Sequence, residues 1–104
     1  MTVINLTPEE VHAALRTGQT LLIDVREPSE FDAERIQGAI NMPLSSFDPA
    51  ALPQDSGKRL ILSCAGGVRS ISALNAARNA GLDLHEHLGG GLRAWKAAGL
   101  PTES

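Results

Sequence analysis

Short, solid apolar runs alternate along the chain with segments whose apolar residues recur at helical spacing. Leu21-Leu22-Ile23-Asp24-Val25 and Leu60-Ile61-Leu62-Ser63 are too brief for helices and apolar but for Asp24 and Ser63, which predicts strands covered on both faces. Ala39-Ile40-Asn41, bounded by Gly38 and Pro43, and His85-Glu86-His87-Leu88 predict two more brief strands. Thr7-Pro8-Glu9-Glu10 is a capping box with proline at the first helical position and Gly18 supplies the stop, so residues 8–17 should be helical. Glu27-Pro28-Ser29-Glu30-Phe31 opens a second, short helix. Pro49, Pro53, Ser56 and Gly57 mark residues 45–58 as a loop holding one helical turn.

Residues 68–80 read as a helix in which Ile71 and Leu74 share a face with Ala73, Ala76, Ala77 and Ala80 nearby; so many small side chains allow close packing on a sheet. Leu92, Trp95 and Ala98 define the apolar face of a last helix, ended by Gly99 and Pro101. Strand and helix thus alternate. That order predicts an α/β fold: a parallel sheet with helices on both faces, joined by right-handed crossovers, with ligands at the carboxyl ends of the strands.

The 104 residues suit one domain, 1–104, without internal repeats. With 42% hydrophobic and 20% charged residues the composition is that of a folded globular chain. A net charge of -3 offers no positive field for nucleic acid, and 3% aromatic residues offer few stacking platforms. No apolar run is long enough to cross a membrane, and Met1-Thr2-Val3-Ile4-Asn5-Leu6 lacks the features of a secretion signal. One cysteine excludes an internal disulfide, so a cytoplasmic location is expected.

That cysteine is the focus of the candidate chemistry. Cys64 ends an apolar strand, Ala65-Gly66-Gly67-Val68 form a turn, and Arg69-Ser70 begin a helix. The first N–H groups of a helix lack internal partners and the dipole is positive there, so a thiolate is favoured at that point. An inert, buried thiol is the competing reading for a lone cysteine. The glycines and the adjacent arginine favour the active one.

Four segments in order now carry a family resemblance: Asp24-Val25-Arg26-Glu27, Ile36-x-Gly38-Ala39-Ile40-Asn41 ahead of Pro43, Cys64-x-x-Gly67-x-Arg69-Ser70, and Gly89-Gly90-Gly91 followed by Trp95. The chain resembles a single-domain rhodanese. The resemblance implies a three-layer sandwich around a five-stranded parallel sheet and a sulfurtransferase whose Cys64 carries a persulfide, taking sulfur from a small anion such as thiosulfate and giving it to cyanide, a thiol or a partner protein. It implies no cofactor. The residues of the loop agree: six positions, 64–69, can turn successive N–H groups of Ala65, Gly66, Gly67 and Val68 onto one anionic atom, with Gly66 and Gly67 taking backbone angles that other residues resist.

The neighbouring residues divide between chemistry and support. Arg69 either attracts the donor or braces the loop against Asp24 or Glu30, a planar fork suiting both. Ser70 reads as a helix cap sooner than as a hydroxyl donor to the sulfur. Asp24, Arg26 and Glu27 read as a structural charge network, Trp95 as core and His12 as solvated. His85 and His87 have the spacing of a metal pair but no third ligand nearby, so no metal site is expected.

Two other enzyme classes use a similar loop. Tyrosine-phosphatase-like enzymes separate their cysteine and arginine by five residues, against four here, and arsenate reductases need a resolving thiol. A sulfur-carrier module remains as the alternative. Glu34-Arg35 stands where a Gly-His pair is common in the resembled family, and Ser63 where an aromatic residue is frequent. Because Ala65 and Gly66 leave the loop without a second basic side chain, weak thiosulfate affinity is expected.

Overall fold

In the computed structural model, which describes residues 2–53 and 57–104, five parallel strands form one sheet in the order β1-β5-β4-β2-β3. The strands are β1 (Ile4–Leu6), β2 (Thr20–Asp24), β3 (Ile40–Asn41), β4 (Arg59–Ser63) and β5 (Glu86–Leu88). The helices are α1 (Pro8–Arg16), α2 (Pro28–Ala33), α3 (Arg69–Asn79) and α4 (Gly91–Ala97). The expected α/β architecture is present. β4 lies at the centre of the sheet, and its carboxyl end delivers Cys64.

Alternation along the strands sorts the core into two clusters, as a sheet covered on both faces requires. Leu22, Ile61 and Leu88 face α1 and α4, where they meet Val11, Ala14, Leu92 and Trp95. Ile23, Leu60, Leu62 and Cys64 face α3, where they meet Ala73, Leu74 and Ala77. The small residues of α3 do bring it close to the sheet. Trp95 is buried, with its indole N–H donating to the Pro101 carbonyl at 2.9 Å.

Several expectations are corrected. β1 was not visible in the hydrophobic pattern: it is three residues long, two of them exposed, and Asn5 interrupts it. The first helix has the anticipated box, with Glu10 N–H donating to Thr7 Oγ1 and Thr7 N–H to the Glu10 carboxylate. Residues 44–51 contain two 3-10 turns, Leu44–Ser46 and Pro49–Ala51, in place of one helical turn. Ser56, part of the expected loop, lies outside the described residues. Ala98 is exposed, because α4 ends at Ala97. His12 is half-buried, its ring edge-on to Trp95 with centroids 5.6 Å apart.

Candidate active site

α3 starts without a side-chain cap: its N-cap residue, Val68, offers no acceptor. The Ser70 amide of that turn, with two amides of the preceding loop, converges instead on the sulfur of Cys64. Gly67 N–H donates to Sγ at 3.1 Å, and the amides of Ser70 and Gly66 also point at it. Burial pushes the thiol up, but the Ser70 hydroxyl and these three amides together outweigh it and hold Cys64 below the ordinary thiol range. The side chain is 1% exposed. It sits at the floor of its loop, ringed by donors, so burial and activation coexist.

The loop is fixed from outside by α4. Leu92 N–H donates to the Cys64 carbonyl at 2.8 Å and Arg93 N–H to the Ala65 carbonyl at 3.0 Å. These are amides of the first turn of α4, which have no partner inside that helix. The approach is close enough that a Cβ on Gly91 would overlap the Cys64 carbonyl. Gly67 has φ +93°, and a Cβ there would lie 2.9 Å from the Gly90 nitrogen. The two glycine-bearing segments therefore interlock. Gly66 is a correction: its φ is not positive, and its constraint is the Arg93 guanidinium, whose Nη1 would lie 3.3 Å from an added Cβ.

Arg69 is directed away from the loop interior. Its Nη1 and Nη2 donate to the Glu30 carboxylate at 2.6 and 2.9 Å, so of the two expected acceptors Glu30 is the one used. The fork holds the Glu30 carboxyl at about 2 and joins the start of α3 to α2. Behind this pair lies a buried one, Arg26 with Asp24, at 2.8 Å and with side chains 5% and 4% exposed. Arg26 also donates to the carbonyls of Glu30 and Glu34, and Asn41 Nδ2 to those of Asp24 and Arg26. The Glu27 carboxylate accepts from Ser45 Oγ at 2.7 Å, and its backbone N–H donates to the Glu30 carboxylate at 3.0 Å, so Glu27 joins the network through Glu30 and not through Asp24 or Arg26.

Ser70 is not a cap. It lies inside α3, fully buried, with its hydroxyl 3.4 Å from Cys64 Sγ and 2.7 Å from His87 Nδ1. His87 is a residue of the site that the local pattern did not reveal. His85, by contrast, pairs with Asp83 at the surface, and the described residues contain no group of three or more metal-binding side chains. Arg93 is a second unforeseen neighbour. It is exposed, makes no ion pair among the described residues, and lines a hollow of about 260 Å³ with Ala65, Glu34, Leu92 and Lys96. In that hollow Lys96 is paired with Glu34 at 2.7 Å, which leaves Arg93 as the free cation beside the loop.

A central parallel strand ending in a thiol, beneath amides from the loop and the start of α3, defines an α/β protein in which hydrogen-bond donors favour the anionic form of one sulfur. A profile of the rhodanese-like domain matches residues 7–98, and the chain belongs to that family. It is 44% identical over 99 residues to the uncharacterized protein slr1261 of Synechocystis, covering 95% of this chain and 55% of that protein, so it spans about half of that relative's length. It is 31% identical over 104 residues to the thiosulfate sulfurtransferase GlpE of Actinobacillus succinogenes, covering 100% and 94% of the two. Its fold matches the thiosulfate sulfurtransferase of Pseudomonas aeruginosa with a TM-score of 0.85 at 31% identity, over 97% of this chain and 20% of that one. The family is thus one with sulfurtransferases among its members.

Proposed function

We propose that the chain is a sulfurtransferase that carries a sulfane sulfur on Cys64. The thiolate attacks the outer sulfur of a small anionic donor such as thiosulfate. The donor's S–S bond breaks, sulfite leaves with the electron pair, and a Cys64 persulfide remains. A cyanide or thiol acceptor then attacks the outer sulfur and Cys64 departs as thiolate. The observation that carries this reading is the ring of amides from Gly66, Gly67 and Ser70 closing on one sulfur atom. Preorganised donors of this kind stabilise charge where it develops. A reducing, cytoplasmic setting, which keeps a lone thiol free, belongs to the same reading.

The position of Arg69 argues against phosphatase chemistry, since its fork is occupied by Glu30 and unavailable to a phosphate. The carrier reading has one observation in its favour: Val68, at the rim of the loop, is 75% exposed and offers an apolar contact for a partner protein. The test is incubation with thiosulfate followed by intact-mass measurement, with Cys64→Ser beside it and an aryl phosphate as a second substrate. The expected result is a gain of one sulfur by the wild type, none by the variant, and no phosphate release. Phosphate release without sulfur gain would reverse the assignment, and sulfur gain only from a partner protein would make the chain a carrier.

Thiosulfate affinity is expected to be weak, because Arg93, the one unpaired cation near the loop among the described residues, is exposed and screened. Arg93→Ala should raise KM for thiosulfate roughly tenfold, equivalent to about 1.4 kcal/mol, with kcat nearly unchanged. A steady-state titration decides it. A low-micromolar wild-type KM would overturn the expected weak affinity, and a variant KM equal to that of the wild type would remove Arg93 from the donor site.

A further inference from the structure

His87 occupies a position where the fold calls for an apolar side chain. β5 turns Leu88 toward α1 and α4, so alternation turns His87 to the α3 face, beside Leu62 of β4 and Asn5 of β1 in register. The ring is 1% exposed, yet both nitrogens are engaged. Nε2 lies 2.6 Å from Asn5 Oδ1, which only accepts, so Nε2 carries the hydrogen. Nδ1 is then the acceptor for the Ser70 hydroxyl at 2.7 Å. Having given its hydrogen to the imidazole, Ser70 Oγ accepts from the Cys64 S–H at 3.4 Å. Three hydrogen bonds run in one direction from the thiol to Asn5.

We infer that His87 is a positioning residue that takes the Cys64 proton through Ser70, and that Asn5 fixes the imidazole tautomer that makes this transfer work. The S–H bond breaks and its proton passes to Ser70 Oγ as the Ser70 hydroxyl proton passes to His87 Nδ1. A thiolate and an imidazolium replace a neutral pair, with no change in net charge and no external base. Ser70 then donates to the thiolate it has just relieved. Around the ring stand Asn5 from β1, Leu62 from β4, Ser70 from α3 and the thiol at the end of β4. Among the described residues no carboxylate or cation is bonded to it. Burial pushes an isolated imidazolium down, so the charged ring is favoured only opposite the thiolate and the two groups titrate as a pair.

The purpose of this relay rests on the sulfurtransferase reading, but its operation is measured without any sulfur donor. The experiment follows alkylation of Cys64 by iodoacetamide against pH, read by intact mass, in wild type, His87→Gln and Asn5→Asp, with thermal melts to confirm folding. His87→Gln should slow alkylation at neutral pH about tenfold and move its midpoint upward, the size expected of groups coupled by roughly one pH unit. Asn5→Asp, whose carboxylate favours the imidazolium, should move the midpoint the opposite way. In a Ser70→Ala background neither substitution should shift it further. Should His87→Gln fail to fold, Asn5→Asp decides alone. Folded variants with the wild-type midpoint, or an upward shift in Asn5→Asp, overturn the relay. Loss of sulfur gain with the relay's pH signature intact would overturn the proposed function and leave the relay standing.

Discussion

Arg26→Ala is expected to destabilise the protein by about 3–5 kcal/mol while leaving sulfur loading per folded molecule within a few-fold of wild type. The cost arises because Asp24 stays behind as a buried carboxylate that has lost the bidentate partner donating at 2.8–3.1 Å. The carbonyls of Glu30 and Glu34 lose a donor in the same stroke. A domain of this size commonly has about 5–15 kcal/mol to lose, so the variant should be marginal at physiological temperature. Replacing both members of the pair by leucine should recover part of the loss, since a lone buried charge costs more than an absent pair. Urea denaturation beside the thiosulfate mass assay separates the two quantities. A stable Arg26→Ala that no longer accepts sulfur would place Arg26 in the chemistry.

Gly67→Ala should act on the opposite balance, with a larger effect on the sulfur than on the fold. Alanine at φ +93° is strained, and its Cβ would press on the Gly90 backbone, which has no flexible end to move aside. Strain of this kind costs about 1–3 kcal/mol. Relief requires the loop to shift, and the loop carries the N–H that donates to Sγ at 3.1 Å. Losing one preorganised donor to developing charge commonly costs about a hundredfold or more in rate. Single-turnover sulfur uptake, with melting temperature alongside, should show that imbalance. Uptake at the wild-type rate would mean the Gly67 amide is dispensable.

What could be read in the sequence follows a physical rule: signals confined to neighbouring residues were legible, and those made across the sheet were not. Thr7 to Glu10 forms its box within one turn, and the run from Leu60 to Cys64 announces both a strand and the turn after it. β1 escaped because an edge strand with two exposed residues needs no apolar run. Ser70 was read by the local rule for helix starts. Its real partner, His87, lies 17 residues away on another strand, and the further link to Asn5 spans 82 residues. Alternation puts His85 and His87 on one side of a short strand but does not say what either meets there.

Glu34-Arg35, the departure from the resembled family's Gly-His pair, also becomes intelligible in three dimensions. Glu34 accepts from Lys96 Nζ and Thr102 Oγ1, and Arg35 pairs with Glu103, both by side chain and by a backbone bridge. Residues 101–103 are thereby tied down near the end of α2. The same segment supplies the carbonyl that satisfies Trp95. These two residues thus tie distant segments together, and Glu34 also lines the hollow beside Ala65 without bonding to the loop itself.

The bonds from Leu92 and Arg93 to the loop carbonyls impose an order on biosynthesis. A growing chain releases Cys64 well before α4 exists, and until residues 92 and 93 arrive nothing holds the carbonyls that set the loop's shape. A nascent Cys64 therefore lacks the arranged donors that hold the folded thiol below its ordinary range. The clamp on the sulfur's loop is thus the last part of the site to be synthesised, and it closes only when α4 docks against the sheet.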